Sequence, residues 1–175
     1  MLAAWKTAFV LALLPVLTAA PARAQHARPA PMVHAVIGHA AILGEGPIPH
    51  SVFGVGASVF VAAQFAIGPE FLYMRGPGRD RDIFLAGTAT IDLRADSQHG
   101  RTRRVVPYLV VNGGVTRVSG LEFMPQGKSA VIAPVLSVGG GARIAMGRLF
   151  VAPEYRVGIE PQKRFCVAVG WRPGY

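Results

Sequence analysis

The chain has 175 residues and a formal net charge of +9, yet only 15% of its residues are charged, against about 25% in ordinary soluble domains. Mean hydropathy is +0.39 and 21 residues are glycine, so the chain must either bury an outsized core or face lipid. A single cysteine, Cys166, excludes an intramolecular disulfide and any paired-cysteine metal or redox site.

The N-terminus sets which residues belong to the fold. Lys6 precedes an apolar stretch over residues 8–17, and small residues follow, ending in Ala22-Arg23-Ala24. That order is that of a secretory signal peptide over residues 1–24, with cleavage between Ala24 and Gln25. Its apolar core is interrupted by Pro15 and falls short of the roughly 20 residues a spanning helix needs. No cysteine stands directly after the core, so lipoprotein processing is not expected. Lys6 and Arg23 would leave with the signal, so residues 25–175 keep a charge of +7. These positive charges are scattered, and an exported chain does not meet DNA, so nucleic acid is not expected as a partner.

Residues 25–32 are rich in Pro and Ala and read as a flexible lead-in, and residues 33–175 as one β-barrel domain. Eight segments rich in Val, Ile, Phe and Ala follow, at 33–43, 51–62, 64–75, 82–94, 105–118, 129–146, 149–160 and 163–171. Polar or Gly/Pro clusters separate them, and their lengths suit strands that cross a bilayer in roughly 9–11 residues. The uncharged run 51–69 rivals a helix, but Gly54, Gly56, Gln64 and Gly68-Pro69 divide it into two strands.

Alternation supports strands, because neighbouring residues point to opposite faces. Phe53, Val55, Ala57, Val59 and Val61 oppose Gly54, Gly56 and Ser58, with Phe60 on the glycine side. Phe65, Ile67, Phe71 and Tyr73 oppose Gln64, Gly68 and Glu70. Ile83, Leu85, Ala89, Ile91 and Leu93 oppose Thr88, Thr90, Asp92 and Arg94. Leu149, Val151, Tyr155 and Val157 oppose Ala152, Glu154, Arg156 and Gly158, while Phe165, Val167, Val169 and Trp171 oppose Cys166, Ala168 and Gly170. The bulky face is read as lipid-facing and the small, polar face as a narrow glycine-lined interior. Segments one, five and six do not resolve by parity, since Gly113-Gly114 and Gly139-Gly140-Gly141 permit bulges.

A lipid-exposed sheet must close on itself, so eight strands imply an antiparallel up-and-down transmembrane barrel with both termini at one end. Glu70, Asp92, Arg94, Glu154 and Arg156 fall on the inner face, joined by Arg143. They are expected to form a structural salt-bridge network, with a proton or ion relay as the functional alternative. Eight strands leave an interior only wide enough for side chains, which excludes a wide pore. His99, Arg101, Arg103 and Arg104 form a basic group that could contact anionic headgroups at the periplasmic rim. The run 79–82 reads as a polar loop tip. His26, His34, His39, His50 and His99 match no HExxH or H-x-E element, and no GxSxG is present, so neither catalysis nor a metal or other cofactor is expected.

Several short segments resemble the small bacterial outer-membrane β-barrels, the OmpA/OmpX-like group. They are Gly54-x-Gly56, Gly68-Pro69-Glu70 leading into Phe71-x-Tyr73, and Val106-Pro107-Tyr108 before Gly113-Gly114. Ala152-Pro153-Glu154-x-Arg156 and Val167-x-Val169-Gly170-Trp171 complete the set. The resemblance implies residence in the outer membrane, contact with its lipid and insertion by the assembly machinery that reads the last strand. Members end on an aromatic within that strand; here Trp171 is followed by Arg172-Pro173-Gly174-Tyr175. The expected function is a non-enzymatic, monomeric barrel for envelope integrity or loop-mediated binding. The alternatives are a soluble periplasmic barrel for a small apolar ligand, and an outer-membrane lipid-modifying enzyme.

Overall fold

The computed structural model describes residues 31–43, 47–62, 64–93, 104–119, 130–158 and 162–172. The expected signal peptide and most of the lead-in lie outside the described residues. Eight strands follow one another: β1 (Pro31–Leu43), β2 (Pro47–Phe60), β3 (Phe65–Arg75), β4 (Arg81–Asp92), β5 (Val105–Ser119), β6 (Ala130–Met146), β7 (Leu149–Gly158) and β8 (Gln162–Trp171). Each pairs antiparallel with its sequence neighbour, and β1 pairs with β8 from Val33↔Trp171 to Ile42↔Gln162. The sheet is therefore a closed barrel with no free edge.

Parity decides what each wall residue meets. Ile37 and Val55 are each 58% exposed on the outer surface, whereas Val52 is fully buried in the lumen. Phe53, Phe71, Leu85, Tyr155 and Phe165 also face outward. So large an apolar outer surface is not that of a soluble monomer. The strands that parity left open resolve the same way. In β1, Val33 points out and Met32 in; in β5, Leu109 and Val115 point out while Tyr108, Asn112 and Thr116 point in; in β6, Val138 and Ile144 point out while Ser137 and Arg143 point in.

Even-numbered residues face the lumen in every strand except β6, where odd ones do. The inversion is undone at Gly147-Arg148, a two-residue hairpin that sets Met146 opposite Leu149, both outward. Gly147 takes φ +64 there, the left-handed first position of a II′ turn.

The lumen differs from the glycine-lined interior that alternation suggested. It is filled by bulky apolar side chains in two clusters, one toward each end. Val52, Leu72, Met74 and Phe84 occupy the end opposite the termini, and Met32, Phe60, Tyr108 and Phe150 the terminal end. Inward glycines make room for them. A Cβ at Gly170 would stand 2.3 Å from Phe150 Cζ, and one at Gly54 would stand 2.3 Å from Leu72 Cδ2. Small and large residues thus sit side by side on neighbouring strands of a barrel too narrow for two large ones.

Cys166 is inward and 3% exposed. Folded protein in detergent should resist a maleimide at Cys166, and heat-unfolded protein should react to completion. Rapid labelling of the folded barrel would contradict the assigned face.

Candidate functional site in the barrel lumen

Between the two apolar clusters lies a polar layer built from five strands. Glu70 on β3 and Arg156 on β7 meet across the lumen. Arg156 Nη1 donates to Glu70 Oε2 at 2.7 Å and Nη2 to Oε1 at 3.1 Å, a two-pronged pairing that fixes both side chains. Arg156 Nε also donates to Glu154, its neighbour on the same face of β7. The other oxygen of Glu154 accepts the Tyr108 hydroxyl at 2.9 Å. Glu70 Oε2 takes a further bond from Asn112 Nδ2 at 3.2 Å, and Asn112 Oδ1 accepts the Ser137 hydroxyl. Arg164 on β8 places Nη2 3.5 Å from Glu70 Oε2, with its guanidinium 5.3 Å over the Phe84 ring.

A second pair stands nearer the terminal end. Arg143 Nη1 donates to Asp92 Oδ1 at 2.7 Å. The guanidinium lies 5.0 Å from the Tyr108 ring centre and 5.8 Å from those of Phe60 and Phe150. Three aromatic faces therefore share its positive charge. Across both groups, Glu70, Asp92 and Glu154 are set against Arg143, Arg156 and Arg164. Charge inside a low-dielectric lumen is tolerated only when matched in this way.

A lumen void beside His34, Glu70, Tyr108 and Arg156 measures about 50 Å³, room for a few waters.

Of the residues the sequence placed in the interior, Glu70, Asp92, Arg143, Glu154 and Arg156 all stand in the lumen, and Arg94 lies outside the described residues. Of the expected basic rim, only Arg104 is described, exposed beside the start of β5; His99, Arg101 and Arg103 lie outside the described residues. Sequence reasoning missed Tyr108, Asn112, Ser137 and Arg164. The first three sit on strands whose parity was unreadable, whereas Arg164 lies two residues before Cys166 and could have been found by extending that face.

A third polar group was also missed. His50 on β2, Asp80 in the turn 76–80 and Asp82 on β4 meet at the lumen end opposite the termini, all buried. His50 Nε2 lies 2.8 Å from Asp80 Oδ2 and 3.6 Å from Asp82 Oδ2. The polar loop tip expected at 79–82 is thus corrected: both aspartates fold inward, and Arg79 and Arg81 stay at the surface side. Extending the inward faces of β2 and β4 by one residue pair places His50 and Asp82 in the lumen, but nothing in the pattern announces Asp80.

No family model matches the chain, and no curated protein matches it in sequence. Solved structures match by shape. The N-terminal β-barrel domain of Pseudomonas aeruginosa OprF superposes with a TM-score of 0.61 at 7% identity, covering 83% of this chain and 99% of that one. Neisserial surface protein A gives 0.58 at 14% identity over 82% and 95%. The attachment invasion locus protein Ail of Yersinia pestis, solved with the heparin analogue sucrose octasulfate, gives 0.57 at 10% over 83% and 99%.

The fold is that of the small outer-membrane β-barrels. In a barrel of this kind the filled, charge-matched lumen acts as its core, and its pairs are testable. Glu70→Leu alone takes the carboxylate from Arg164 and leaves Arg156 with Glu154 only, and should cost about 3–5 kcal/mol in urea unfolding. The pair Glu70→Leu with Arg156→Met should recover part of that loss, since Arg164 still lacks its carboxylate. Equal destabilisation by the single and the double variant would contradict the coupling.

Proposed function

We propose that the chain is a non-enzymatic, monomeric outer-membrane barrel that supports the envelope and presents its loop end to anionic partners. The observation that carries this reading is an apolar outer wall closed around a filled, charge-matched lumen. Hydrocarbon suits that wall, including an open outer groove of about 640 Å³ lined by Val33, Val55, Phe71, Leu85 and Trp171. A soluble barrel that binds a small apolar ligand would require the opposite arrangement, with bulky groups pointing only inward around a cavity.

Turn lengths suggest the orientation. The termini share their end with the short connections 61–64 and 147–148, as periplasmic turns do in such barrels, and with the longer 93–104, which departs from that rule. The opposite end would then face outward. There, Arg75 pairs directly with Arg81, and Arg117 lies one residue pair further along the same outer face. Like charges set opposite one another are unfavourable unless an anion joins them. Phosphate-bearing headgroups or a sulfated polymer would supply one, and Ail was solved with a sulfated ligand.

The lumen supports the non-enzymatic half of the reading. Its carboxylates and guanidiniums bond one another, and the space beside them is too small for a substrate. Outer-membrane fractionation with heat-modifiable gel migration, combined with lipid A mass spectra from cells with and without the protein, tests the proposal. The protein should partition with the outer membrane, run faster unheated than heated, and leave lipid A masses unchanged. Recovery wholly in soluble periplasm, or a mass change in lipid A, would contradict it.

A further inference from the structure

We propose that His50, Asp80 and Asp82 form a binding site for a divalent transition-metal ion, of the Zn²⁺ class, at the loop end of the barrel. One nitrogen and two carboxylate oxygens converge there, all within 4.8 Å of one another and all on buried residues. Adjacent ligands on a tetrahedral ion with bonds of 2.0–2.1 Å are about 3.3 Å apart. The separations of 2.8 and 3.6 Å from His50 Nε2 bracket that value.

Three further observations point to a ligand and not only to an ion pair. First, His50 Nδ1 lies 3.1 Å from the Ile48 carbonyl oxygen. A proton on Nδ1 donated to that carbonyl leaves the Nε2 lone pair aimed at the carboxylates, the usual outer-shell arrangement of a metal-bound histidine. Second, Asp80 is 5% exposed, and its Oδ1 is buried with no hydrogen-bond partner among the described residues. Orphaned carboxylate oxygens of this kind call for a missing partner. Third, the turn backbone packs directly against the donors at a glycine. A Cβ on Gly76 would stand 2.4 Å from Asp80 Oδ2 and 2.6 Å from His50 Nε2, so glycine keeps open the space where the donors meet.

The turn that carries Asp80 is fixed before any ion arrives. Gly76 N–H donates to the Asp80 carbonyl at 3.2 Å, and Asp80 N–H donates to that of Pro77 at 3.1 Å. Arg81 Nη1 donates to the Asp80 carbonyl at 2.6 Å. An imidazole donor favours Zn²⁺ over Mg²⁺ or Ca²⁺, which prefer all-oxygen shells. A fourth position falls to water or to Asp80 Oδ1.

The test uses the untagged full chain, folded in detergent, stripped with chelator and titrated with zinc chloride in excess Mg²⁺. One equivalent of Zn²⁺ should bind. His50→Gln and Asp80→Asn should each weaken binding at least about tenfold. Gly76→Ala, which keeps all three donors and fills the space between them, should weaken it as well. Heat-modifiable migration establishes that each variant is folded, and Asp80→Asn, in a turn, is the one least able to disturb the wall. Absence of binding by the folded parent, or equal binding by parent, His50→Gln and Asp80→Asn, would overturn the assignment; the second result would move the ion to surface groups such as His39.

Discussion

Backbone hydrogen bonding governs the whole molecule: a strand wall in hydrocarbon has no solvent to satisfy an unpaired amide or carbonyl. Pairing β1 with β8 removes the only two edges the sheet would otherwise have. Once closed with eight strands, the barrel is too narrow for open water and too wide for an empty axis. Its inner face must therefore pack like a protein core, while its outer face takes the side chains that a soluble protein would hide. The inversion of ordinary burial follows from the closure.

That inner core is part apolar and part ionic, and the two parts depend on each other. Leu72, Met74 and Phe84 cap the polar layer on one side, and Phe60, Tyr108 and Phe150 on the other. They keep bulk solvent away from Glu70 and Arg156, which makes their pairing strong and its loss costly. Arg143 and Arg164 join the layers directly, each with its charge on a carboxylate and its guanidinium over aromatic rings. Inward glycines at positions such as 54 and 170 are the geometric counterpart, since they admit the large side chains opposite.

Strand number, closure and most of the lumen charges were legible in the sequence, because a period of two survives wherever one face is bulky and the other small. Phe53-Gly54-Val55-Gly56 and Glu154-Tyr155-Arg156-Val157 carry that signal plainly. It fades in β5 and β6, where glycines stand on both faces and the frame inverts between neighbouring strands. Asn112 and Ser137 were hidden there for that reason. The apolar filling was misread for another reason: Leu72 and Phe84 sit among small residues on the inner face, and alternation measures contrast between faces without giving the volume one face must fill. Asp80 was invisible because turns have no parity.

The loop end shows the same logic on a smaller scale. His50 and Asp82 are inward by strand frame, and only the fold of the turn at 76–80 brings Asp80 to them. Alternate facing of the wall remains the claim on which the lumen network, the loop-end site and the lipid contact all rest. Its most direct measure is a nitroxide scan of consecutive positions along β7 from Val151 to Gly158 in lipid vesicles, read by collision with oxygen and with a polar nickel chelate. Oxygen accessibility should oscillate with a period of two, with maxima at Val151, Tyr155 and Val157 and minima at Ala152 and Arg156. A flat profile, or maxima at the even positions, would contradict the account.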